Sequence, residues 1–453
     1  MAATDRKRRR VPCCLFWAAG LAGLPLSHWL LFARIDPFYS VIYPFLWWPF
    51  IFSVDLLVYL LRRNSLLHDR PWEFLLLTLW STPVWLIFEA LNLRLHNWHY
   101  VQVPLHPDAG NVFLIFAFAT VLPGVFEVAE LVIGLIEKGA RTGRIAGRPF
   151  HVTQANLAIQ MILGALMLIL ALAWPERFFC LVWGFAFLIL DPVCYVRKGR
   201  SLLGQLAAGD NTRLVALLIS GAVCGGLWEA WNISARSKWI YTVPFFDELK
   251  IGEMPVLGFL GFPPFVLECY AIVNLIGLFR GGRSWELGAA ENAERKGMAP
   301  RLALWAWCAV VSFSLLTALG IFRVTVSSYS IPLDAWFAGS LGEKGAAALR
   351  REKAIYSHQF LRLKTRPEEI DPALYEKMRS LCALAEVAGM GLAHAEILLA
   401  AGIETPEELA RGDPELIAMQ VRRLSQLALR PRTAQVRVWI REAKEQLRTR
   451  QGP

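Results

Sequence analysis

Residues 227–244 read LWEAWNISARSKWIYTVP, and residues 88–104 read FEALNLRLHNWHYVQVP. Each stretch sets a glutamate, an asparagine three residues on, and then a Trp-x-Tyr pair at the end of an apolar run. The residues are Glu89, Asn92, Trp98 and Tyr100 in one copy and Glu229, Asn232, Trp239 and Tyr241 in the other. Each copy leads on to a proline-preceded glutamate, Glu127 in VLPGVFEVAEL and Glu268 in GFPPFVLECYA. Asp55 and Asp191 precede the two sets. A carboxylic acid kept neutral by apolar surroundings can donate a proton or a hydrogen bond near neutral pH. Indole and phenol faces attract cations. Acids and aromatics in this pattern therefore suit acid chemistry on an apolar substrate. The competing reading is interhelical hydrogen bonding that holds helices together, with the aromatics in an interfacial belt.

The elements that must position these residues are membrane helices. Mean hydropathy is +0.41 and 55% of the 453 residues are hydrophobic. The apolar residues gather in runs of about 20, the length that crosses a bilayer core. Spans are expected near 12–33, 40–61, 72–93, 112–136, 154–173, 176–196, 213–233, 254–279 and 302–322. The net charge of +10 is distributed in clusters at 6–10, 62–70, 137–148, 197–200 and 280–297. By the positive-inside rule these segments and the N-terminus are cytoplasmic. A ninth span would put residues 323–453 outside the cytoplasm, and the setting expected is a bacterial inner membrane. The basic balance thus encodes topology, and nucleic acid is not needed to explain it.

The chain also matches itself. Asp55, Tyr59 and Ser65 align with Asp191, Tyr195 and Ser201 at an offset of 136, and Glu89 and Asn92 with Glu229 and Asn232 at 140. Trp98, Tyr100, Pro123 and Glu127 align with Trp239, Tyr241, Pro264 and Glu268 at 141. The expected architecture is all-α: a polytopic bundle of two tandem four-helix repeats (12–137 and 154–280) after a basic tail (1–11). A ninth helix (302–322) and a small helical C-terminal domain (323–453) follow. Four spans per unit give both repeats one orientation, as in transporter repeats related by an axis along the membrane normal.

Depth sorts the acids. Glu89 and Glu229 fall near the outer ends of their spans, Glu127 and Glu268 mid-membrane, and Asp55 and Asp191 towards the cytoplasmic ends. An ionisable group at such depth costs at least ~2.5 kcal/mol on insertion scales and faces the bundle interior. Pro123, Pro263 and Pro264 are expected inside spans, where a missing N–H kinks a helix and would open space around Glu127 and Glu268. The run GFLGFPP (258–264) is expected to break regular helix.

At these residues the sequence resembles the small integral-membrane lycopene cyclases and the related carotenoid-biosynthesis membrane proteins, built from two homologous halves. The matching stretches are FEALNLRLHNWHY with LPGVFEVAE and WEAWNISARSKWIY with FPPFVLECY. The spacing here is Pro-x-x-x-Glu, and each repeat holds four spans where the family's half has fewer. The resemblance implies redox-neutral cyclisation of a polyene. Glu127 and Glu268 would be proton donors, and Glu89 and Glu229 counter-charges or relays. Asn92, Asn232, Trp98, Tyr100, Trp239 and Tyr241 would contact substrate, with Asp55 and Asp191 as relays or structural groups.

Beyond residue 380, GMG (389–391), Gly402 and the TPEE run from Thr405 to Glu408 punctuate short helices, with Pro406 at a first helical position and a capping-box spacing. Residues 380–446 resemble the helix-hairpin-helix domain of unknown function DUF4332. Arg422, Arg423, Arg430, Arg432, Arg437 and Arg441 could meet phosphates, yet the expected topology favours a protein partner or self-association over DNA. The eight cysteines show no CxxC, and GxxxxGK, HExxH and GxSxG are missing. No cofactor or metal site is readable. His96 and His99 read as interfacial polar residues without counterparts. Three functions stay open: a membrane enzyme acting on an isoprenoid or other lipid, a transporter or proton-coupled carrier, and a structural anchor displaying the C-terminal domain.

Overall fold

The computed structural model describes residues 13–286 apart from 36, 104–106, 141 and 244–248. It also describes residues 332–451 apart from 388–389, 426–430 and 432, and a few positions between 309 and 329. The fold is an all-α bundle with a few short strands. Among the described residues, eight helical segments are long and apolar enough to cross a membrane: Cys14–Phe32, Phe38–Arg62, Pro71–Leu95, Val112–Gly139, Gln154–Ala173, Pro175–Val196, Thr212–Ser234 and Val256–Phe279. Almost all of the ninth span expected at 302–322, like Gly389, Arg430 and Arg432, lies outside the described residues.

The helices are α1 (Cys14–Phe32), α2 (Ile42–Arg62), α3 (Leu66–Asp69), α4 (Pro71–Leu95), α5 (Pro107–Phe118), α6 (Val121–Gly139), α7 (Gln154–Ala173), α8 (Pro175–Phe178), α9 (Phe185–Val196), α10 (Leu202–Ala207), α11 (Thr212–Ser234) and α12 (Phe262–Phe279). The pairings α1 on α2, α2 on α6 and α4 on α6 recur as α7 on α9, α9 on α12 and α11 on α12. Small residues permit the close approaches. A Cβ on Gly221 would lie 2.7 Å from the backbone of Phe262 and Pro263.

Two strands, β1 (Trp98–Val103) and β2 (Lys238–Tyr241), leave the ends of α4 and α11 and pair antiparallel. The register sets Trp98 opposite Tyr241, His99 opposite Ile240 and Tyr100 opposite Trp239. Equivalent residues of the repeats thus pair reciprocally about a two-fold axis through His99 and Ile240. Strand side chains alternate between faces. The four aromatics share the face towards the bundle, while Val101 and Ile240 pack against Val438 on the other.

The C-terminal domain forms its own core around Phe360, Met378, Leu398 and Trp439. Its helices are α13 (Leu333–Trp336), α14 (Ala338–Arg351), α15 (Ser357–Phe360), α16 (Pro372–Ala385), α17 (Gly391–Ala400), α18 (Pro406–Arg411), α19 (Pro414–Leu424) and α20 (Thr433–Gln451). Asp371, Thr405 and Asp413 cap α16, α18 and α19 through their side chains. The domain sits at the strand-pair end of the bundle. Ser328 and Tyr329 extend the sheet parallel to β1. Arg441 reaches Glu253 at 3.3 Å, and Arg236 reaches His358 at 2.7 Å.

The prolines do not kink spans 4 and 8. Regular helix breaks before them: α6 starts at Val121, two residues before Pro123, and a 3-10 segment over Val256–Gly261 precedes α12, which opens on Phe262, Pro263 and Pro264. A proline in a first helical turn lacks an N–H that would have no intrahelical partner there. Glu127 and Glu268, one turn further on, are fully buried. His99 is also buried, at 7% exposure, and is not an interfacial group facing water.

Candidate functional site

Glu89 ends its span inside a cage of donors. Its Oε1 accepts from Trp85 Nε1 at 2.9 Å, from Trp98 Nε1 at 3.1 Å and from the Tyr100 hydroxyl, while Oε2 has no partner. Glu229 is held in the same way. Its Oε1 accepts from Trp239 Nε1 at 3.2 Å and the Tyr241 hydroxyl at 2.8 Å, and its Oε2 is unpartnered. The Glu, Trp and Tyr of each sequence signature therefore form one cluster per repeat. Both clusters sit under the strand pair.

The asparagines explain why the strands lie where they do. Asn92 donates Nδ2 to the Trp98 carbonyl at 2.8 Å and accepts from the Asn97 and Trp98 amides at 2.8 and 3.3 Å. Asn232 donates to the Trp239 carbonyl at 2.9 Å and accepts from the Trp239 amide at 3.1 Å and the Tyr43 hydroxyl at 2.8 Å. Both amides are engaged with the chain itself. They position the aromatics above the glutamates.

Each cage is closed by the other repeat. Trp183 stacks on Phe88 and Trp98 at centroid separations of 5.7 and 6.1 Å. Trp47 meets Trp228 at 5.2 Å and Trp231 at 4.9 Å, and Tyr43 meets Trp239 at 5.1 Å. Sequence reasoning missed Tyr43, Trp47, Trp85 and Trp183. A signal existed for one pair, because Trp47 and Trp183 match at the 136-residue offset of Asp55 and Asp191. Trp85 falls opposite Gly225 at the 140-residue offset, and a Cβ there would lie 2.2 Å from the Phe262 ring. The second cage lacks the third donor because phenylalanine occupies its place.

The deeper acids are separate from the cages. Leu122 of α6 donates its amide to Ser81 of α4 at 3.0 Å, which sets the two helices in register. With a helical rise of roughly 1.5 Å per residue, Glu89 and Glu127 stand about 20 Å apart along the helix axes. The contact of Gly221 with Phe262 and Pro263 sets a similar spacing, about 20 Å, between Glu229 and Glu268. Glu127 lies beside the Asp55 carboxyl, with Glu130 and Arg70 also near it. Glu130, which has no counterpart in the second repeat, takes Arg62, with Arg70 at 3.7 Å. Glu268 accepts the Ala186 amide at 3.0 Å and so caps α9, which begins after Gly184 at φ +112°. In repeat 1, α2 runs unbroken through Pro49 and offers no helix start to Glu127.

Asp55 and Asp191 are latches. Asp55 accepts from Trp17 Nε1 at 2.8 Å, Ser65 Oγ at 3.0 Å and the Leu67 amide at 2.9 Å. Asp191 accepts from the Leu202 and Leu203 amides, both at 2.8 Å. Asp55 satisfies one amide and Asp191 two, each at the start of a short helix, where backbone N–H groups lack intrahelical partners.

Among the described residues no group of three or more His, Cys, Asp or Glu could hold a metal ion. A cavity of about 980 Å³ lies at the end of the bundle opposite the strand pair, and none of the twelve candidate residues lines it.

The fold is that of an integral membrane protein, with eight helices among the described residues long and apolar enough to span. Residues 366–446 match the family model described as Domain of unknown function (DUF4332). No curated protein and no solved structure matches the chain.

Proposed function

We propose that the chain acts inside the membrane on an unsaturated, lipid-soluble substrate of the isoprenoid class, by redox-neutral acid chemistry. A proton from Glu127 or Glu268 adds to a C=C bond, and a second double bond closes on the cation to form a ring. Loss of a proton from the cyclic cation to a neighbouring carboxylate restores neutrality. Glu89 and Glu229, about 20 Å from those donors, are too distant to offset that charge; their indole and phenol cages hold the far end of the substrate. The observation that carries this reading is the twin cage: a buried carboxyl gripped at one oxygen by Trp and Tyr donors, with its second oxygen unpartnered. A substrate touching both layers of acids is an extended chain.

The test is expression in a lycopene-accumulating host with pigment analysis. A cyclic product of unchanged mass, diminished by Glu229→Gln and Glu268→Gln, is expected. Unchanged pigment together with an unchanged host isoprenoid profile would overturn the reading.

The docked C-terminal domain favours a second reading, in which the bundle is an anchor presenting that domain to a protein partner or a second copy of the chain. Val438 sits on the sheet, and Arg441 and Arg236 bridge to the membrane body. Arg422 and Arg437 are engaged by Pro431, Thr433 and Glu415, which leaves them less suited to DNA phosphates. Docking at the end away from the basic clusters supports a cytoplasmic N-terminus and an extracytoplasmic C-terminal domain. A C-terminal reporter active in the cytoplasm would refute that topology.

A further inference from the structure

The 980 Å³ cavity is built where the two repeats join, between the end of α6, the connecting segment 142–153, the end of α9, α10 and the start of α11. The connecting segment is pinned in place as one wall. The Gly147 amide meets the Gly209 carbonyl at 2.9 Å, the Asn211 amide meets the Ile145 carbonyl at 3.0 Å, and the Ile145 amide meets Thr212 Oγ1 at 2.9 Å. Four cations line the space: Arg144, Lys198, Arg200 and Arg213. Two acids also line it, and both are occupied. Glu137 pairs with Arg62 at 3.0 Å, and Asp210 accepts the Thr212 amide at 2.9 Å.

The cations are held in two tiers. Glu286 pairs with Arg200 and with Arg213 at 3.1 Å, which fixes both guanidinium groups at the inner wall. Arg144 and Lys198 are exposed at the rim. Ile133, Val152 and Leu157 supply an apolar side to the same space. Fixed guanidinium groups recognise phosphate oxygens through paired N–H donors, and basic pockets between helix ends at a membrane surface fit phospholipid headgroups. The volume is at the upper end of the range for small-molecule sites, about 300–1,000 Å³, and far exceeds one phosphate ion.

We infer that this cavity is a binding site for a phosphate monoester or diester, an anionic phospholipid headgroup or a soluble phosphate ester of similar size. It is independent of the chemistry proposed for the cages.

The test uses the full chain in phosphatidylcholine nanodiscs with and without phosphatidylglycerol, with bound lipid counted by native mass spectrometry after release. Glycerol 3-phosphate and inorganic phosphate serve as soluble probes. Retention of phosphatidylglycerol should fall about fivefold for each cation removed in Arg144→Gln and Lys198→Gln. Arg148→Gln, on the same segment but outside the cavity lining, should change nothing. Retention that resists glycerol 3-phosphate identifies the lipid as the source. Binding of glycerol 3-phosphate in pure phosphatidylcholine discs identifies a soluble ester. Failure of every probe to bind, or equal loss in Arg148→Gln, overturns the inference. Because Arg144 and Lys198 are exposed, an unchanged thermal transition shows that the variants are folded.

Discussion

Replacing Glu89 with alanine should cost far more than a surface acid, because two buried donors and the half-buried Trp85 converge on its Oε1. Trp85 Nε1 and Trp98 Nε1 lie at 2.9 and 3.1 Å, and the Tyr100 hydroxyl completes the set. An orphaned buried donor costs about 1–3 kcal/mol. Three orphans give roughly 5 kcal/mol, comparable to the whole stability of a marginal domain. Glu89→Gln leaves an acceptor in place and should cost about 1 kcal/mol. Removing one orphan should restore part of the loss. Glu89→Ala combined with Tyr100→Phe should be more stable than the sum of the single changes by about 1–3 kcal/mol. The assay is the fraction of detergent-solubilised protein that stays monodisperse after graded heating, with Glu137→Ala as the exposed control. Additivity of Glu89→Ala with Tyr100→Phe, or a Glu89→Ala loss no larger than the control, would refute the cage as a cooperative unit.

Asn92→Ala and Asn232→Ala should each lower stability by about 2–4 kcal/mol, since each removes bonds to two or more backbone groups at a strand start; limited proteolysis near residues 98 and 239 reads the effect. Gly225→Ala should cost about 1–3 kcal/mol by overpacking against Phe262, whose ring lies 2.2 Å from the added Cβ; Gly226→Ala, which would meet nothing within 4 Å, is the control. Burial lowers His99 to about 3, aided by the nearby positive charges of His394, Lys250 and His96. A folded pKa below the unfolded value of about 6.5 means its contribution is whole above that pH and is lost as pH falls towards 3. At pH 5 the loss is about 2 kcal/mol. Protease release of the C-terminal domain should therefore rise on acidification and flatten in His99→Leu.

Eight spans were legible in the sequence because bilayer length and apolar composition fix them almost without tertiary information. The paired signatures were legible for a related reason. Polar residues inside apolar runs are rare enough that Glu-x-x-Asn and Trp-x-Tyr stand out when they recur. What the asparagines do was not legible, because the backbone groups they bind become available only once β1 and β2 exist. The aromatic closure of each cage by Trp47 or Trp183 joins residues far apart in the chain; the 136-residue offset pairs the two tryptophans but says nothing of what they touch. The prolines misled because a missing N–H has opposite consequences in a helix interior and in a first turn. Only knowledge that the helix starts beside them separates the two. The distance between the deep acids and the cages likewise depends on how α4 and α6 are staggered, which the stretch from 89 to 127 does not encode locally.

The reciprocal register of β1 and β2 has a consequence for assembly. A strand that pairs with its own two-fold equivalent is what two identical subunits present to each other. In a homodimer every substitution would appear at both cages at once. Here the segment after α6 ties the halves together, and the residues at the axis have diverged to His99 and Ile240. The halves can therefore specialise independently while keeping complementary edges. Two fragments cut between residues 139 and 154 retain the matching strands, the reciprocal Trp47 and Trp183 contacts, and the α6–α11 packing. Co-expressed as separate chains, they should find one another and rebuild the pair.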